Sequence, residues 1–247
     1  MEKVLIITGG SKGIGGGIVS AYLKRDYRIF SISRHKNPGY PENIHQLECD
    51  LSDGLAAEKV IHTLFRHLDQ KQVEQITMIN NAGSLGNIGP VESLKVEDIQ
   101  HTVQLNTIAP LILTSAFLKL TESWKAQKSI LNISSGAAKN PYFGWSIYCA
   151  TKASLDMTGR VAALEQDLKE NGTKIINVYP GVVDTGMQEQ IRSATKTDFI
   201  DLEKFLDYKA SGKLADAESV GEKIYRISID PNIQNGSTID VRDLENQ

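Results

Sequence analysis

Short apolar runs alternate along this chain with longer stretches in which apolar residues recur every three or four positions. The runs predict strands buried on both faces, and the amphipathic stretches predict the helices that cover them. The predicted strands cover residues 3–8, 28–33, 45–50, 75–79, 130–133, 174–179 and 237–241. Regular alternation of this kind is typical of a parallel sheet with right-handed crossovers. We therefore predict an α/β fold, a single doubly wound domain with about seven parallel strands and helices on both faces.

Composition indicates one globular unit. Hydrophobic residues make up 40% and charged residues 23%, and no shift in composition marks a boundary within residues 1–247. We expect only a functional division, into a cofactor-binding half of about residues 1–130 and a catalytic and substrate-cap half of about 131–247. A net charge of −3 gives no reason to expect a nucleic-acid partner or an acidic membrane surface.

The expected location is cytoplasmic. No apolar run approaches the roughly 18 residues that a membrane-spanning helix needs. A strand begins directly after Met1, so we expect no signal peptide. Cys49 and Cys149 are far apart and lack metal-type spacing, which predicts reduced thiols and no metal site. Cys149 adjoins Tyr148, but we interpret it as a small buried hydrophobe.

A glycine-rich turn, TGGSKGIG, follows the first predicted strand and precedes a helix. Gly9, Gly13 and Gly15 have the G-x-x-x-G-x-G spacing, which lets the backbone approach a diphosphate at the helix N-terminus. In this strand–turn–helix context the motif predicts a Rossmann-type dinucleotide site. Gly16 and Gly17 lie inside the helix, where each costs about 1 kcal/mol relative to alanine. They either allow close packing against a strand or the cofactor, or have no role.

The end of the second predicted strand indicates which dinucleotide binds. NAD enzymes of this type carry an acidic residue there for the ribose 2′-hydroxyl, but this chain reads SISRHK. Arg34, with Lys12 from the glycine turn, instead suits a 2′-phosphate through charge-assisted hydrogen bonds. Either cation alone could be an ordinary surface residue. Because the carboxylate is also missing, we predict NADP(H) as the cofactor.

Residues 132–152, NISSGAAKNPYFGWSIYCATK, carry the side chains that could do chemistry. Tyr148 and Lys152 are four positions apart, so they project from one face of a helix. An ammonium group beside a phenol stabilises the phenolate and brings the tyrosine pKa toward neutrality. Ser135 lies just beyond the fifth predicted strand, where its hydroxyl can hydrogen-bond a substrate carbonyl that the tyrosine protonates. The three residues together predict carbonyl reduction or its reverse.

On these motifs the chain resembles the short-chain dehydrogenase/reductase family over residues 3–243. The resemblance implies a catalytic triad of Ser135, Tyr148 and Lys152, joined by Asn106 from an earlier helix. It also implies cofactor contacts at Gly9, Ser11, Lys12, Gly13, Ile14, Gly15, Arg34, Asp50, Leu51, Asn81, Ala82, Gly83, Tyr148, Lys152, Pro180, Gly181, Val183 and Thr185.

The family also implies a mobile substrate cap over residues 193–213, and a homodimer or homotetramer formed through the helices bearing Asn106 and Tyr148. Asn106 falls within a helical stretch predicted for residues 96–124, which Thr107 to Pro110 should kink. A water-linked proton relay from there to Lys152 is plausible chemistry. Asp50 should contact the adenine, cap the following helix, or both.

The carboxyl-terminal motifs GWSIYCATKASLDM, PGVVDTGMQ and NGSTIDVRD look like those of the sepiapterin reductase and benzil reductase branch. That resemblance implies NADPH-dependent reduction of a small-molecule ketone, either a vicinal dicarbonyl or a pterin side-chain ketone. One alternative is a 3-oxoacyl-carrier-protein reductase, which shares the triad but would want a basic patch. The predicted cap instead carries the acidic residues Asp198, Asp201, Glu203 and Asp207. A non-enzymatic NADP-sensing regulator is the other alternative, although it would have no use for the proton relay.

Substrate contacts are expected from the aromatic segment before the catalytic tyrosine, from the cap and from the last strand. Phe143 and Trp145 suit a flat, conjugated ligand, and Met187 precedes the cap. Asp240 stands where sepiapterin reductases place the carboxylate that holds the amino edge of the pterin. It could equally point to solvent or accept backbone N–H bonds, because a buried carboxylate without partners is costly.

Overall fold

A computed structural model describes residues Met1–Asn246. The strands are β1 (Glu2–Thr8), β2 (Tyr27–Ser33), β3 (Ile44–Glu48), β4 (Val73–Asn80), β5 (Gln127–Ile133), β6 (Lys174–Tyr179) and β7 (Thr238–Asp240). The helices are α1 (Gly13–Leu23), α2 (Gly54–Phe65), α3 (Val96–Val103), α4 (Ala109–Leu120), α5 (Ser146–Asp167), α6 (Gly186–Arg192), α7 (Leu202–Ala210) and α8 (Ala217–Ile229).

The strands form one parallel sheet of seven in the order β3-β2-β1-β4-β5-β6-β7. One face packs against α2 and α4, and the other against α1 and α8. The strands are nearly continuous apolar runs because both faces are covered; Val4, Leu5, Ile6 and Ile7 are all 0% exposed. The predicted doubly wound α/β architecture is thus confirmed. The strand order reverses between β1 and β4, which opens a crevice at their carboxyl ends.

The chain turns after β3 two residues earlier than predicted. The backbone N–H of Cys49 makes the last parallel bond, to the carbonyl of Ser33 at 3.0 Å. Asp50 then accepts hydrogen bonds from the backbone and hydroxyl of Ser52, at 3.0 and 2.7 Å. The N-cap of α2 is Asp53, whose side chain accepts from the N–H groups at the helix start. The capping role considered for Asp50 is therefore wrong, because the helix begins three residues further on.

The stretch predicted as a helix over residues 96–124 is helical to Leu120 but is interrupted in its middle. A π-helical turn, Gln104–Ile108, separates α3 from α4, and the N–H of Ala109 bonds the carbonyl of Gln104. Pro110 lies in the first turn of α4, where it has no N–H to lose from the helical ladder. The irregularity is therefore a widened turn centred on Asn106, and such turns are frequent at functional sites.

By length and composition alone, residues 96–120 are long and apolar enough to cross a bilayer, and they are the one such helical stretch in the described chain. The sequence reading missed this because polar side chains such as Gln104 interrupt the apolar run. Within the fold, 39% of the most apolar window is buried, and α4 packs against α2. The stretch thus contributes to the core of the domain.

Gly17 allows two helices to pack in contact. A Cβ at Gly17 would lie 1.8 Å from the carbonyl oxygen of Ala217, and a Cβ at Gly221 would lie 2.3 Å from the Gly17 backbone. The close neighbour is therefore α8, not the strand or cofactor suggested by the sequence. At Gly16 a Cβ would lie 3.6 Å from the Tyr40 hydroxyl, which is ordinary contact, and nothing in the structure explains that glycine.

Candidate active site

Tyr148 and Lys152 lie in the first two turns of α5 and face the carboxyl edge of the sheet. Both are buried, at 7% and 5% exposure. Ser135 follows β5 and caps a short 3₁₀ turn, where its Oγ accepts a hydrogen bond from the N–H of Ala137 at 3.1 Å. The Ser135 hydroxyl lies near enough to the Tyr148 phenol to lower the pKa of that phenol. The structure thus brings the three residues of the predicted triad together.

Burial shifts the proton affinities of the two ionisable members in opposite directions. It raises the pKa of Tyr148 to about 12, against the lowering effect of the nearby Ser135 hydroxyl. It lowers the pKa of Lys152 to about 8, against the raising effect of the nearby Asp156 carboxylate. From the sequence we expected Lys152 to lower the pKa of Tyr148 toward neutrality. In the structure, burial has the larger effect and raises that pKa instead. At neutral pH the phenol is protonated and the ammonium charged, which are the forms that a proton donor and its supporting cation need.

Lys152 is held by the backbone rather than by a salt bridge at its tip. Its Nζ donates to the carbonyl of Ile133 at 2.8 Å and lies 5.7 Å from the centroid of the Tyr148 ring. A Cβ at Gly83 would lie 3.5 Å from that Nζ and 3.4 Å from Oδ1 of Asn106. Asn106 and Lys152 therefore approach the same point beside the loop after β4, as the family resemblance implied.

The Asn106 side chain ties that loop to α5. Its Oδ1 accepts from the N–H of Ser84 at 2.8 Å, and its Nδ2 donates to the Ser84 carbonyl at 2.7 Å and to Thr151 Oγ1 at 3.1 Å. Both amide protons are thus used within the protein. Sequence reasoning missed Ser84 and Thr151 because Asn106 bonds the backbone of Ser84 and an ordinary hydroxyl of Thr151, and neither group carries a distinctive signal. A relay from Asn106 to Lys152 stays a prediction.

The glycine turn fits the diphosphate of a dinucleotide. The N-cap of α1, Lys12, makes no side-chain capping bond, and the first turn reads Gly-Ile-Gly-Gly, so its backbone donors face an anion site without an acidic side chain. A Cβ at Gly15 would lie 2.1 Å from the carbonyl oxygen of Gly9, so no other residue fits there without a shift. Thr185, from the loop after β6, lies against Gly13, 3.3 Å from where a Cβ would be.

Thr8 orders the neighbouring NNAG segment, and the sequence reading had overlooked it. Its Oγ1 accepts from the backbone N–H groups of Asn81 and Ala82 at 3.0 and 2.9 Å. The Asn81 side chain returns a bond to the carbonyl of Gly9 at 3.0 Å. The signal available in the sequence was a single polar residue at the end of an apolar strand. These bonds fix the predicted contacts Asn81, Ala82 and Gly83 beside the glycine turn.

Lys12 in the glycine turn and Arg34 directly after β2 are both exposed. The charge of Arg34 contributes to the lowered pKa of Asp50, after the larger effect of the hydrogen bonds from Ser52. Leu51 beside it is buried at 4% exposure. A phosphate placed there would meet the exposed guanidinium of Arg34, whose electrostatic partner Asp50 is itself exposed.

On the substrate side, Trp145 lies under the cap. Its ring stacks on Phe199 with centroids 4.9 Å apart and an interplanar angle of 6°, and it meets Tyr148 edge-on at 5.8 Å. Met187 packs partly buried against the same cluster. Phe143 is 42% exposed, so its ring lies outside that cluster. Trp145 can therefore shape the site wall, whereas the predicted substrate contact of Phe143 stays a prediction.

Asp240 is engaged by Arg242. Its Oδ1 accepts from the backbone N–H of Arg242 at 3.0 Å and from Nε at 2.9 Å, and its Oδ2 accepts from Nη2 at 2.5 Å. Arg242 lies over Gly181, 3.5 Å from where a Cβ would be. This arrangement matches the structural alternative for Asp240, that it accepts a backbone N–H near the chain end.

The cap surface is mixed in charge. Glu203 lies 3.9 Å from Lys196 and Asp207 lies 3.3 Å from Lys213. The acidic cap inferred from the sequence is therefore wrong as a description of the surface, because the lysines between the acids were not counted. Charge on the cap gives no reason to reject a carrier-protein substrate.

Comparison with known proteins agrees with this geometry. A family model described as short chain dehydrogenase matches residues 3–196. A benzil reductase ((S)-benzoin forming) of Bacillus cereus is 40% identical over 229 residues, covering 90% of this chain and 92% of that protein. A sepiapterin reductase of Xenopus tropicalis is 28% identical over 261 residues, covering 96% and 95%. The crystal structure of the KRED1-Pglu enzyme matches with a TM-score of 0.83 at 26% identity, covering 96% of this chain and all (100%) of that one.

Proposed function

The chain belongs to the short-chain dehydrogenase family and is a nicotinamide-dependent oxidoreductase acting on carbonyl or hydroxyl groups, and we propose that this protein reduces vicinal diketones with NADPH. One observation carries the chemistry: a buried, protonated Tyr148 beside the Ser135 hydroxyl, with the Lys152 ammonium one helical turn away. A cofactor-sensing regulator has no use for that arrangement, and the similar curated proteins are enzymes.

The protein's own groups supply the proton and the orientation. A bound reduced nicotinamide would supply the hydride to the carbonyl carbon. The Tyr148 O–H donates its proton to the carbonyl oxygen as the alcohol forms, and the Ser135 hydroxyl donates a hydrogen bond to the same oxygen. The Lys152 ammonium stabilises the phenolate left behind until solvent restores the proton. In the reverse direction the phenolate accepts the proton of the alcohol.

The proposed substrate is a diketone flanked by aromatic groups. The benzil reductase is 40% identical to this chain and the sepiapterin reductase 28%. Asp240, which would anchor the amino edge of a pterin, has both oxygens taken by Arg242. A pterin would have to displace that ion pair, whereas a diketone needs only the oxygen contacts at Tyr148 and Ser135 and the apolar wall formed by Trp145.

The proposed preference for NADPH rests on Arg34 and Lys12. Both are exposed near the end of β2 and the glycine turn. A charged guanidinium can bind a 2′-phosphate through two parallel hydrogen bonds, and it has no such partner in a 2′-hydroxyl.

We also propose that the protein is a homo-oligomer. One face of α5, together with its C-cap residue, exposes Met157, Val161, Leu164 and Leu168, by 52%, 46%, 69% and 89% of their surfaces. Their spacing of three or four residues makes a continuous apolar stripe on the helix, and such stripes mark interaction surfaces. A cytoplasmic location stays a prediction from the composition.

Initial rates with NADPH and with NADH test the function against benzil, sepiapterin and an acetoacetyl thioester. We expect oxidation of NADPH with benzil to exceed that with the other two ketones. A preference for the thioester would favour the carrier-protein reductase. A lack of oxidation with every ketone would refute the reductase assignment.

A further inference from the structure

Asp156 is a buried carboxylate one turn after Lys152 on α5. It is 8% exposed, and it is the only buried acid among the residues whose burial the structure describes. Its Oδ2 accepts a hydrogen bond from the Tyr179 hydroxyl at 2.5 Å. Its Oδ1 has no hydrogen-bond donor within residues 1–246. Burying an incompletely paired carboxylate is costly, so its presence calls for a physical reason.

The position of this carboxylate is set by the helix and by the sheet behind it. Residues 148, 152 and 156 are spaced by four, so they share one face of α5. The Asn177 side chain donates to the backbone carbonyl of Asp156 at 3.1 Å. A Cβ at Gly159 would lie 2.4 Å from Asn177 Oδ1, so the helix lies against β6 without room for a side chain there. Asp156 is therefore held in place behind the lysine.

The other charged groups near Asp156 and Lys152 are closer to solvent. On α5 the ionisable neighbours of Asp156 are Lys152 and Tyr148, which are buried, and Arg160, which is exposed. Tyr179 faces Asp156 from β6, and beyond its ring lie the exposed Lys139 and the half-buried Asp240, itself paired with Arg242. Solvent screens the exposed charges more strongly than the buried carboxylate. Asp156 is therefore the anion that most strongly stabilises the charged form of Lys152.

We propose that Asp156 is a positioning residue of this site, whose carboxylate, held by Tyr179, keeps the buried Lys152 ammonium charged beside the proton-donating Tyr148. The inference rests on the proposed reductase function. Two coupled groups such as Tyr148 and Lys152 lose their protons as a pair, and a neighbouring negative charge delays that loss to higher pH. Asp156 thus extends the pH range over which the site can donate a proton.

Asp156→Asn removes the charge and keeps the size of the side chain. A unit charge one helical turn away, at an effective dielectric constant of about 20, changes a pKa by about one to two units, so the alkaline fall in kcat/KM for ketone reduction should move down by about that amount. Alcohol oxidation, which needs the deprotonated pair, should begin at a correspondingly lower pH. Tyrosinate absorbance gives a readout independent of turnover. The titration of Tyr148 is obtained by subtracting the curve of a Tyr148→Phe variant, and in the Asp156→Asn background it should shift to lower pH.

Two further variants separate charge from packing. Tyr179→Phe removes the hydrogen bond but keeps the carboxylate charge, so the alkaline limb should stay in place. Asp156→Ala combined with Tyr179→Phe removes both partners and leaves no unpaired buried group, so it should fold even where Asp156→Asn does not, and its limb should move down. The proposal is overturned if the alkaline fall in kcat/KM stays in place in the variants that remove the charge. It is also overturned if Tyr179→Phe shifts that fall by the same amount as they do. Absence of ketone reduction in the unmutated protein would refute the reductase function instead, and the tyrosinate titration would still decide the role of Asp156.

Discussion

Replacing Gly17 by alanine should weaken the contact between α1 and α8, and Gly16 provides a matched control one residue away. Both glycines lie inside α1. The Cβ of Gly17→Ala would lie 1.8 Å from the carbonyl oxygen of Ala217, whereas that of Gly16→Ala would lie 3.6 Å from the Tyr40 hydroxyl. The first neighbour is backbone and cannot rotate away, so the two helices must separate. The second neighbour is at an ordinary contact distance.

The magnitude follows from two opposing effects. Either substitution gains about 1 kcal/mol of helix propensity. Only Gly17→Ala also suffers overpacking, which costs about 1–3 kcal/mol and here lies toward the upper end, because backbone meets backbone. The gain in helix propensity is the same in both variants. The difference between their free energies of unfolding therefore measures the helix contact alone, at about 3 kcal/mol. For a chain of this size that corresponds to melting temperatures about 6–12 °C apart.

Urea unfolding and thermal melts of both variants, at one protein concentration, measure that difference. Gly16→Ala should be as stable as the unmutated protein or slightly more stable, and Gly17→Ala should be clearly less stable. Equal stability of the two variants would refute the reasoning, because it would mean that α1 and α8 do not pack through Gly17.

Three further predictions concern the cofactor, the last strand and the assembly. In fluorescence titrations, Arg34→Ala should weaken NADPH binding by roughly ten- to a hundredfold, because a charge-assisted contact is worth about 1.5–3 kcal/mol. NADH binding should stay nearly unchanged, and equal weakening for both cofactors would contradict the 2′-phosphate role. Asp240→Ala should alter reduction of benzil and of sepiapterin in parallel, because the carboxylate holds Arg242; a loss confined to sepiapterin would show that Asp240 binds the pterin. Leu164→Glu should convert the oligomer to smaller species in light scattering. Leu55→Glu, at an even more exposed position on α2 (80% against 69%) away from the stripe, should not.

Sequence patterns predicted the fold well because the physical signals were local and repeated. Apolar runs buried on both faces imply a parallel sheet, and a glycine turn between strand and helix implies a dinucleotide crevice. The errors lie where an element ends, as at Asp50, since a helix start depends on which of several acidic side chains turns back onto the backbone. The π turn at Asn106 was also missed, because a proline nearby suggested the commoner cause of a kink.

The predicted site residues were those with a motif, and the residues that support them had none. Tyr148 and Lys152 follow from their spacing, but Asp156 continues the same spacing by one more turn and was passed over. Its significance depends on burial and on the Tyr179 hydroxyl, which comes from a strand 23 residues away in sequence. Likewise, the pairing of Asp240 with Arg242 depends on side-chain direction in the last strand. Contacts between distant residues of ordinary type leave no pattern in a single sequence.

The central claim is that Tyr148 donates the proton in NADPH-dependent ketone reduction. Steady-state NADPH oxidation with benzil, measured for the unmutated protein and for Tyr148→Phe alongside NADPH binding by fluorescence, tests it most directly. We predict a loss of turnover of about a hundredfold or more, because general acid catalysis contributes roughly 10²–10⁴-fold, with NADPH affinity retained. Near-normal turnover in Tyr148→Phe would contradict the account.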